Sequence, residues 1–530
     1  MPALTTAFLL SAATLASCAR PPLQASTTSA APRASGARPP QQASTTSSAI
    51  PPCPSRPPFT TLPSPLPAAV TAALAAVASL FTSTLNPVSL PGGSLSISYR
   101  GGALLALHGG LACKAPPSNV SAATLFRVAS VSKVFPALLA HVLADGGKLG
   151  LDDPVAAHLP AFVRPRSPFA EEAGQPTLRH LMSHMAGLQR EAPPGNATAD
   201  VLSAVAASLL IAPPGSGPPS YSNLGFALLG YAAEGAAGGG ALLPALVEAH
   251  ITRPLQLGGT GYDYPPAVMA RLAAGYDGSG AAVPFADLGW GYAAGAMHST
   301  AADLDALAQA VLPPATRLPL SPPRAREFWA PVFWARDGLS GMGTPWEFLS
   351  VANYSAAVKG GNLPGYTAFV AAVPDVGLSL AATFNGGGVD EFAFAQTALA
   401  ALLPALEAAF AAAAPQPYNP GPSPADYVGT YALAGTEVLV EAAPTGALLW
   451  RNGAIGVSVA LDWVAADPVL GDVFRAAFPD SSFSCLAGEL EGLRGQYVVF
   501  QRDCDTGNVS STSWPGVVPG AVWAKTAVGK

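Results

Sequence analysis

Ser130-Val131-Ser132-Lys133 sets an alcohol and an amine three residues apart, and Tyr221-Ser222-Asn223 and Lys359-Gly360-Gly361 follow farther along the chain. These residue types suit acyl transfer. A serine hydroxyl attacks a carbonyl at neutral pH only when a neighbouring base takes its proton. If a helix starts near Ser130, Lys133 lies on the same face one turn away. An amine in a desolvated setting, with a second cation close by, binds its proton less tightly and can be that base. Lys359 is the candidate second cation. A lone Ser-x-x-Lys carries little weight in 530 residues, whereas three pieces in one order carry much more.

The elements that must position these groups are legible nearby. Val134 to Ala144 is apolar enough for a buried helix, and Gly146-Gly147 stops it. Pro136 lacks the N–H that would bond the carbonyl of residue 132, so the expected helix begins at or just before Ser132 with the proline in its first turn. The helix N-terminus would offer partial positive charge and free N–H groups where an oxyanion develops; losing one such donor costs roughly a hundredfold to a thousandfold in turnover.

Around this tetrad the chain resembles the serine beta-lactamase and penicillin-binding-protein superfamily, in its class C, DD-peptidase and esterase-like branch. Phe126-Arg127-Val128-Ala129 leads into Ser130 as that family's motif does, and Leu151-Asp152-Asp153-Pro154-Val155 with Leu159-Pro160 is similar to another of its segments. So are Thr177 to Leu188 and Gly291 to Asp303; the resemblance spans about Pro67 to Asn385. It implies Ser130 as acylated nucleophile, Lys133 as its base, and Tyr221 as acid to the leaving group and activator of water for deacylation. It further implies Asn223 as a substrate contact, Lys359 as a holder of a substrate carboxylate or a tuner of Tyr221, and the N–H groups of Ser130 and Asn362 as the oxyanion hole. Lys359-Gly360-Gly361 matches the family's Lys-Thr-Gly strand motif with Gly360 where threonine often stands, which removes a hydroxyl that binds penicillin carboxylates. No glutamate matches the deacylating base of class A enzymes.

Competing local readings narrow the site. A Tyr-x-Asn segment by itself is ordinary turn chemistry. His180 and His184 have the spacing of zinc ligands on a helix but lack the intervening glutamate and a third ligand, so both are expected to be structural. Gly238-Gly239-Gly240 lacks the Lys-Ser/Thr of a phosphate loop, and Asp503 and Asp505 belong to no complete calcium loop. The reading calls for no metal and no cofactor.

The chain is long enough for several domains, and a catalytic unit of about 350 residues is expected to have two lobes. Charged residues make up only 11% and mean hydropathy is +0.34, largely through alanine. No apolar run is expected to span a bilayer, since Pro213-Pro214 and Glu234 interrupt 209–247 and Pro404 and Glu407 interrupt 397–414. A net charge of −6 without a basic cluster excludes nucleic acid as the expected partner. A small-molecule or peptide substrate is expected.

Residues 1–19 read as a signal peptide, apolar from Ala3 to Ala16 and ending in small residues, which implies secretion; Leu15-Ala16-Ser17-Cys18 also reads as a lipoprotein box with Cys18 as anchor. Sequons at Asn119, Asn196, Asn353 and Asn508 favour a eukaryotic secretory route. Beyond Cys18 the cysteines are even in number, and position suggests Cys53 with Cys113 and Cys485 with Cys504, four free thiols being the alternative. Residues 20–66 are a Ser/Thr/Pro-rich linker. The expected fold class is α+β: a beta-lactamase-like domain over 67–414, with an antiparallel sheet flanked by helices plus a helical lobe, and the cleft between lobes holding Ser130. After a linker at 415–424, Asp426-Tyr427-Val428-Gly429-Thr430-Tyr431 is similar to the start of the small β-barrel appended to esterase-like relatives, giving a β-rich domain over 425–530.

The expected function is a serine hydrolase acting through an acyl-enzyme on an ester, an amide or a D-amino-acid peptide. Two alternatives stand beside it. One is a secreted, non-catalytic binding or scaffold protein that keeps the fold, motivated by Gly360 and Pro136; the other is a true beta-lactamase.

Overall fold

The computed structural model describes residues 62–169, 174–191, 197–313, 317–412, 424–443, 448–453, 457–467, 471–477, 497–503, 506, 508–514 and 522–526. The expected leader, most of both linkers, Cys18, Cys53, Asn196, Cys485, Cys504 and Asp505 lie outside these residues.

The helices that matter to the site are α1 (Ala68–Thr84), α2 (Val134–Asp145), α3 (Leu178–Met182), α4 (Asn223–Ala237), α5 (Tyr292–Gly295), α6 (Ala301–Val311) and α7 (Glu391–Ala412). The strands begin with β1 (Gly92–Tyr99), β2 (Gly102–Lys114) and β3 (Pro117–Asn119), followed by a short pair, β4 (Phe126–Arg127) with β5 (His298–Ser299). Then come β6 (Phe333–Trp334), β7 (Ser340–Met342), β8 (Glu347–Val351), β9 (Tyr354–Leu363), β10 (Tyr366–Val373) and β11 (Leu378–Phe384). All but β4 and β5 join one nine-stranded antiparallel sheet in the order β3-β2-β1-β11-β10-β9-β8-β7-β6.

Central strands β10 and β11 are buried at every residue, which explains why their sequences are mostly apolar rather than alternating, with Thr367, Ser379 and Thr383 as buried exceptions. One face packs Leu95, Ile97, Phe369 and Leu380 under α1 and α7; the other sets small residues such as Ala368, Ala372 and Ala381 toward the core of Leu138, Phe226 and Leu228 contributed by α2 and α4. Asp305 of α6 accepts hydroxyl hydrogen bonds from Ser96 (2.8 Å), Ser98 (2.7 Å) and Ser379, pinning that helix across β1 and β11. Arg100 (φ 46°) and Gly101 (φ 82°) both have the positive φ of a type I′ turn, so the β1–β2 hairpin turns one residue earlier than Gly101-Gly102 suggests.

Two expectations need correction. Strands β6 to β8 occupy a stretch expected to be helical and loop-rich. Pro404 and Glu407 do not interrupt α7, which is continuous over 22 residues, and Glu391–Phe410 is long and apolar enough to cross a membrane. Half of that window is buried, with Phe394, Leu399, Leu402 and Leu406 packed on the sheet. Cys113 donates to the Ala115 carbonyl at 3.3 Å and is free among the described residues, while its expected partner Cys53 lies outside them. The sequon residues Asn119, Asn353 and Asn508 are all exposed.

Among the described C-terminal residues, eight strands from Gly429–Leu433 to Val522–Lys525 close into a barrel, the first pairing with the last through Tyr431 and Lys525. Its interior holds Tyr427, Tyr431, Trp450, Phe474, Phe500, Trp514 and Trp523. Arg502 bridges Asp426 (2.9 Å) and Asp472 (2.8 Å), and Tyr427 donates to Asp472 at 3.0 Å. The expected β-barrel therefore forms.

Leu402 has no exposed surface. Leu402→Ala should lower stability by about 2–5 kcal/mol in a urea melt, the usual cost of such a core truncation.

Candidate active site

The turn carrying the serine starts earlier than expected: a 3₁₀ segment over Ala129–Lys133 runs directly into α2, with Pro136 in the first turn. Ala129 adopts φ 49°, a left-handed conformation costly for a residue with a side chain, immediately before Ser130. Buried Ser132 fixes the turn by accepting the Met297 N–H at 3.0 Å. Ser130 itself remains partly accessible, while Lys133 has no exposed surface.

Lys133 Nζ lies 3.0 Å from Ser130 Oγ, 2.7 Å from Asn223 Oδ1 and 2.8 Å from the Ala294 carbonyl of α5. Asn223 is oriented by its Nδ2, which donates to Glu191 Oε1 at 2.7 Å, so Oδ1 must face the lysine. Two of the three neighbours are thus oxygens that can only accept. They take both N–H bonds of a neutral amine and leave its lone pair directed at the serine hydroxyl. Burial, followed by the charge of Lys359, holds the Lys133 pKa well below the ordinary lysine value.

Tyr221 donates to Ser130 Oγ at 2.7 Å. The segment around it is locked by short-range bonds. Ser222 caps α4 by accepting the Gly225 N–H at 2.9 Å and donates to the Gln189 carbonyl at 2.6 Å. His184 stacks on the Tyr221 ring at 4.3 Å between centroids, and its Nδ1 accepts the Ser222 N–H at 3.1 Å. Burial, reinforced by Lys133, Lys359 and Arg190, keeps this imidazole neutral at ordinary pH. His180 instead completes a capping box with Thr177 at the start of α3, so the two histidines serve as structural parts and do not share a helix.

Strand β9 brings the third motif. Lys359 is 1% exposed and pairs with Glu347 of β8 at 2.9 Å while also donating to the Gly360 carbonyl at 3.0 Å. Desolvation pulls its pKa down, but the Glu347 carboxylate, Tyr221 and Glu391 together raise it above the ordinary value, so it stays an ammonium. The two lysines are therefore driven in opposite directions, which separates a base from a permanent charge. Lys359, expected to hold a substrate carboxylate or to tune Tyr221, is paired with Glu347 and lies 5.4 Å from the Tyr221 ring centroid.

A Cβ on Gly361 would lie 2.5 Å from the Val128 carbonyl and 2.7 Å from the Ser130 nitrogen, so only glycine lets β9 pass this close to the serine turn. Asn362, next along, is exposed. A Cβ on Gly360 would collide with Glu391 of α7, 2.4 Å from its Cγ. The expected Ser130, Lys133, Tyr221, Asn223 and Lys359–Asn362 thus converge. Missed were Glu347, Glu391, Glu191 and Arg190, whose guanidinium carbon lies 4.8 Å from the Tyr221 ring centroid. A buried lysine that keeps its proton demands a counter-charge, and that requirement was the one available signal for Glu347.

Known proteins resemble this chain in sequence and in fold. A beta-lactamase-like protein of Homo sapiens is 34% identical over 346 residues, covering 62% of this chain and 67% of its own length. The D-alanyl-D-alanine-carboxypeptidase/endopeptidase AmpH of Escherichia coli (strain K12) is 33% identical over 159 residues, 28% of this chain and 40% of AmpH. The crystal structure of a class C beta lactamase from Rhodobacter sphaeroides superposes with a TM-score of 0.54 at 24% identity, covering 62% of this chain and 98% of that one, a likeness of fold. Residues 77–404, more than half of the chain, match the profile of the family described as Beta-lactamase, and the chain belongs to that family.

Proposed function

We propose that the protein is a serine hydrolase that acylates Ser130 and cleaves an ester, an amide or a D-amino-acid peptide. The observation that carries this reading is the Lys133 amine, desolvated and held by two fixed acceptors 3.0 Å from the Ser130 hydroxyl. As Ser130 Oγ bonds to the substrate carbonyl carbon, its proton passes to Lys133. Tyr221 protonates the departing oxygen or nitrogen and is reprotonated from Lys133, so the acyl-enzyme forms with no net change in charge. In the second half Tyr221 passes its proton to the neutral Lys133 amine and takes one from a water that adds to the acyl carbon, and the Lys133 ammonium then gives its proton to Ser130 Oγ as that oxygen leaves as the alcohol, which restores both groups. The Ser130 and Asn362 N–H groups are the proposed oxyanion donors, consistent with the close passage of Gly361.

The departures that favour a non-catalytic scaffold have local explanations. Pro136 sits in the first turn of α2, where its missing N–H is tolerated, and Gly360 makes room for Glu391. A true beta-lactamase is the weaker alternative, because Gly360 offers no hydroxyl and Lys359 is already paired.

A fluorophosphonate probe should label the wild-type protein and not Ser130→Ala; equal labelling of both would remove Ser130 as the nucleophile. Lys133→Ala and Tyr221→Phe should each lower turnover of p-nitrophenyl esters by about a hundredfold or more with little change in melting temperature. The rate should depend on neutral Lys133, so kcat/KM should rise with pH through its lowered pKa. Lys359→Met removes a charge that lowers that pKa and strands Glu347, which raises it, so the acid limb of the profile should move to higher pH. An unmoved limb would assign the titration to another group. Gly361→Ala should cut kcat at least about tenfold by pushing β9 off the serine turn, a displacement of catalytic scale.

A further inference from the structure

We propose that a pocket apart from the acyl-transfer groups binds a small methylated ammonium ion, held between aromatic rings and the carboxylate of Glu234. Tyr231, Glu234, Leu242, Pro244, Trp290 and Tyr292 line a cavity of about 250 Å³. None of the residues around Ser130 lines it, and Glu234 lies three turns along α4 from Asn223, roughly 16 Å at a rise of 1.5 Å per residue. Binding there does not depend on acylation of Ser130.

Three local features build the walls. Tyr231 and Glu234 stand three residues apart on α4, and so share one face of that helix. Gly289, with φ 51°, opens a 3₁₀ turn over Gly289–Gly291 that carries Trp290 and runs into α5 at Tyr292. Leu242 and Pro244 come from the start of the helix Leu243–Val247. The Tyr231 and Tyr292 ring centroids are 6.4 Å apart, and Tyr262 braces the Tyr292 ring edge-on at 6.0 Å.

Charge selects the ligand. Glu234 Oε1 accepts from the Tyr292 hydroxyl at 2.7 Å and from the Leu243 N–H at 2.8 Å, while Oε2 has no partner and the carboxylate pairs with no cation among the described residues. Burial, followed by the bond to Glu234, pushes the Tyr292 phenol above its ordinary pKa, so that hydroxyl stays a donor. An anion would be repelled by Glu234, and a neutral apolar molecule would strip water from its charge without replacing it. Aromatic rings attract a cation through their electron-rich faces, and three of them line this pocket. A primary ammonium has three donors to satisfy, but Oε1 is already taken twice and Oε2 is the one free carboxylate oxygen. A methylated ammonium asks for no acceptor, only for negative charge and ring faces. The cavity is smaller than the roughly 300–1,000 Å³ of sites for drug-sized ligands, which suits a head group of this size.

Isothermal titration of the full chain with choline should give saturable binding at one site, and the uncharged carbon analogue 3,3-dimethylbutan-1-ol should bind at least about tenfold more weakly. Glu234→Gln keeps an acceptor for Tyr292 and Leu243 and removes the charge; it should weaken choline by about tenfold or more. Trp290→Ala should weaken it by roughly threefold to thirtyfold, the scale of one cation–π contact. Leu242 is 64% exposed, so Leu242→Lys spares the core and sets an ammonium at the rim that should compete choline out. Melting curves verify the fold of each variant. No saturable choline binding by wild type, equal binding of the alcohol, or choline affinity unchanged by Glu234→Gln or by Trp290→Ala would each overturn the site. If Glu234→Gln does not fold, Leu242→Lys decides in its place, and choline bound as tightly as by wild type would overturn the site.

Discussion

The site depends on taking an amine out of water without giving it an anion. Lys133 is enclosed on all sides, and its nearest neighbours are an alcohol, an amide oxygen and a backbone carbonyl, none of which carries charge. A charged group in such a place relaxes by losing its proton. The second lysine makes the choice one-sided. Lys359 is just as buried but receives Glu347, so one of the two keeps its proton and its field discourages the other from doing so.

This electrostatic division imposes demands on the backbone. Strand β9 must come near enough for Lys359 to act on Lys133, and the absence of a side chain at 361 allows that approach. The serine turn answers with a residue in a left-handed conformation, Ala129, and with Ser132 tied to Met297. On the opposite wall, the Tyr221 ring lies on a neutral imidazole, and its following residue starts α4. Each element around the cleft is thus anchored within one or two residues of a group that touches Ser130.

Much of this was legible in the chain itself, and for a physical reason. Ser130, Lys133 and Tyr221 must be of specified types and in a specified order, so their spacing survives as a pattern. Thr177 to Leu188 and Leu151 to Val155 are legible because they are local locks: Thr177 caps with His180, and Asp152 grips Arg179 through bonds of 2.7 and 2.9 Å. What stayed hidden depends on pairing across the sheet. Glu347 meets Lys359 because β8 lies beside β9 in one register, and Glu391 meets Gly360 because α7 returns over that strand. Neither has a short-range signature. Helix α7 was legible as a helix, but Pro404 and Glu407 hid the length of its apolar stretch; the packing of its leucines on the sheet carries the helix through both.

The two borders of the nine-stranded sheet have a consequence for how copies of this molecule meet. One border, β3, is three residues long and opens on Pro117; the other, β6, is only two residues long. These short strands offer a neighbour few unpaired amides, and a proline supplies none, but β3 pairs only with Leu111–Lys114 of β2 and leaves the outer side of Gly102–Gly110 without a strand partner. The barrel closes on itself and has no border at all among its described strands. Among the described strands, the outer margin of Gly102–Gly110 is therefore where the backbone offers a neighbouring copy the most unpaired groups.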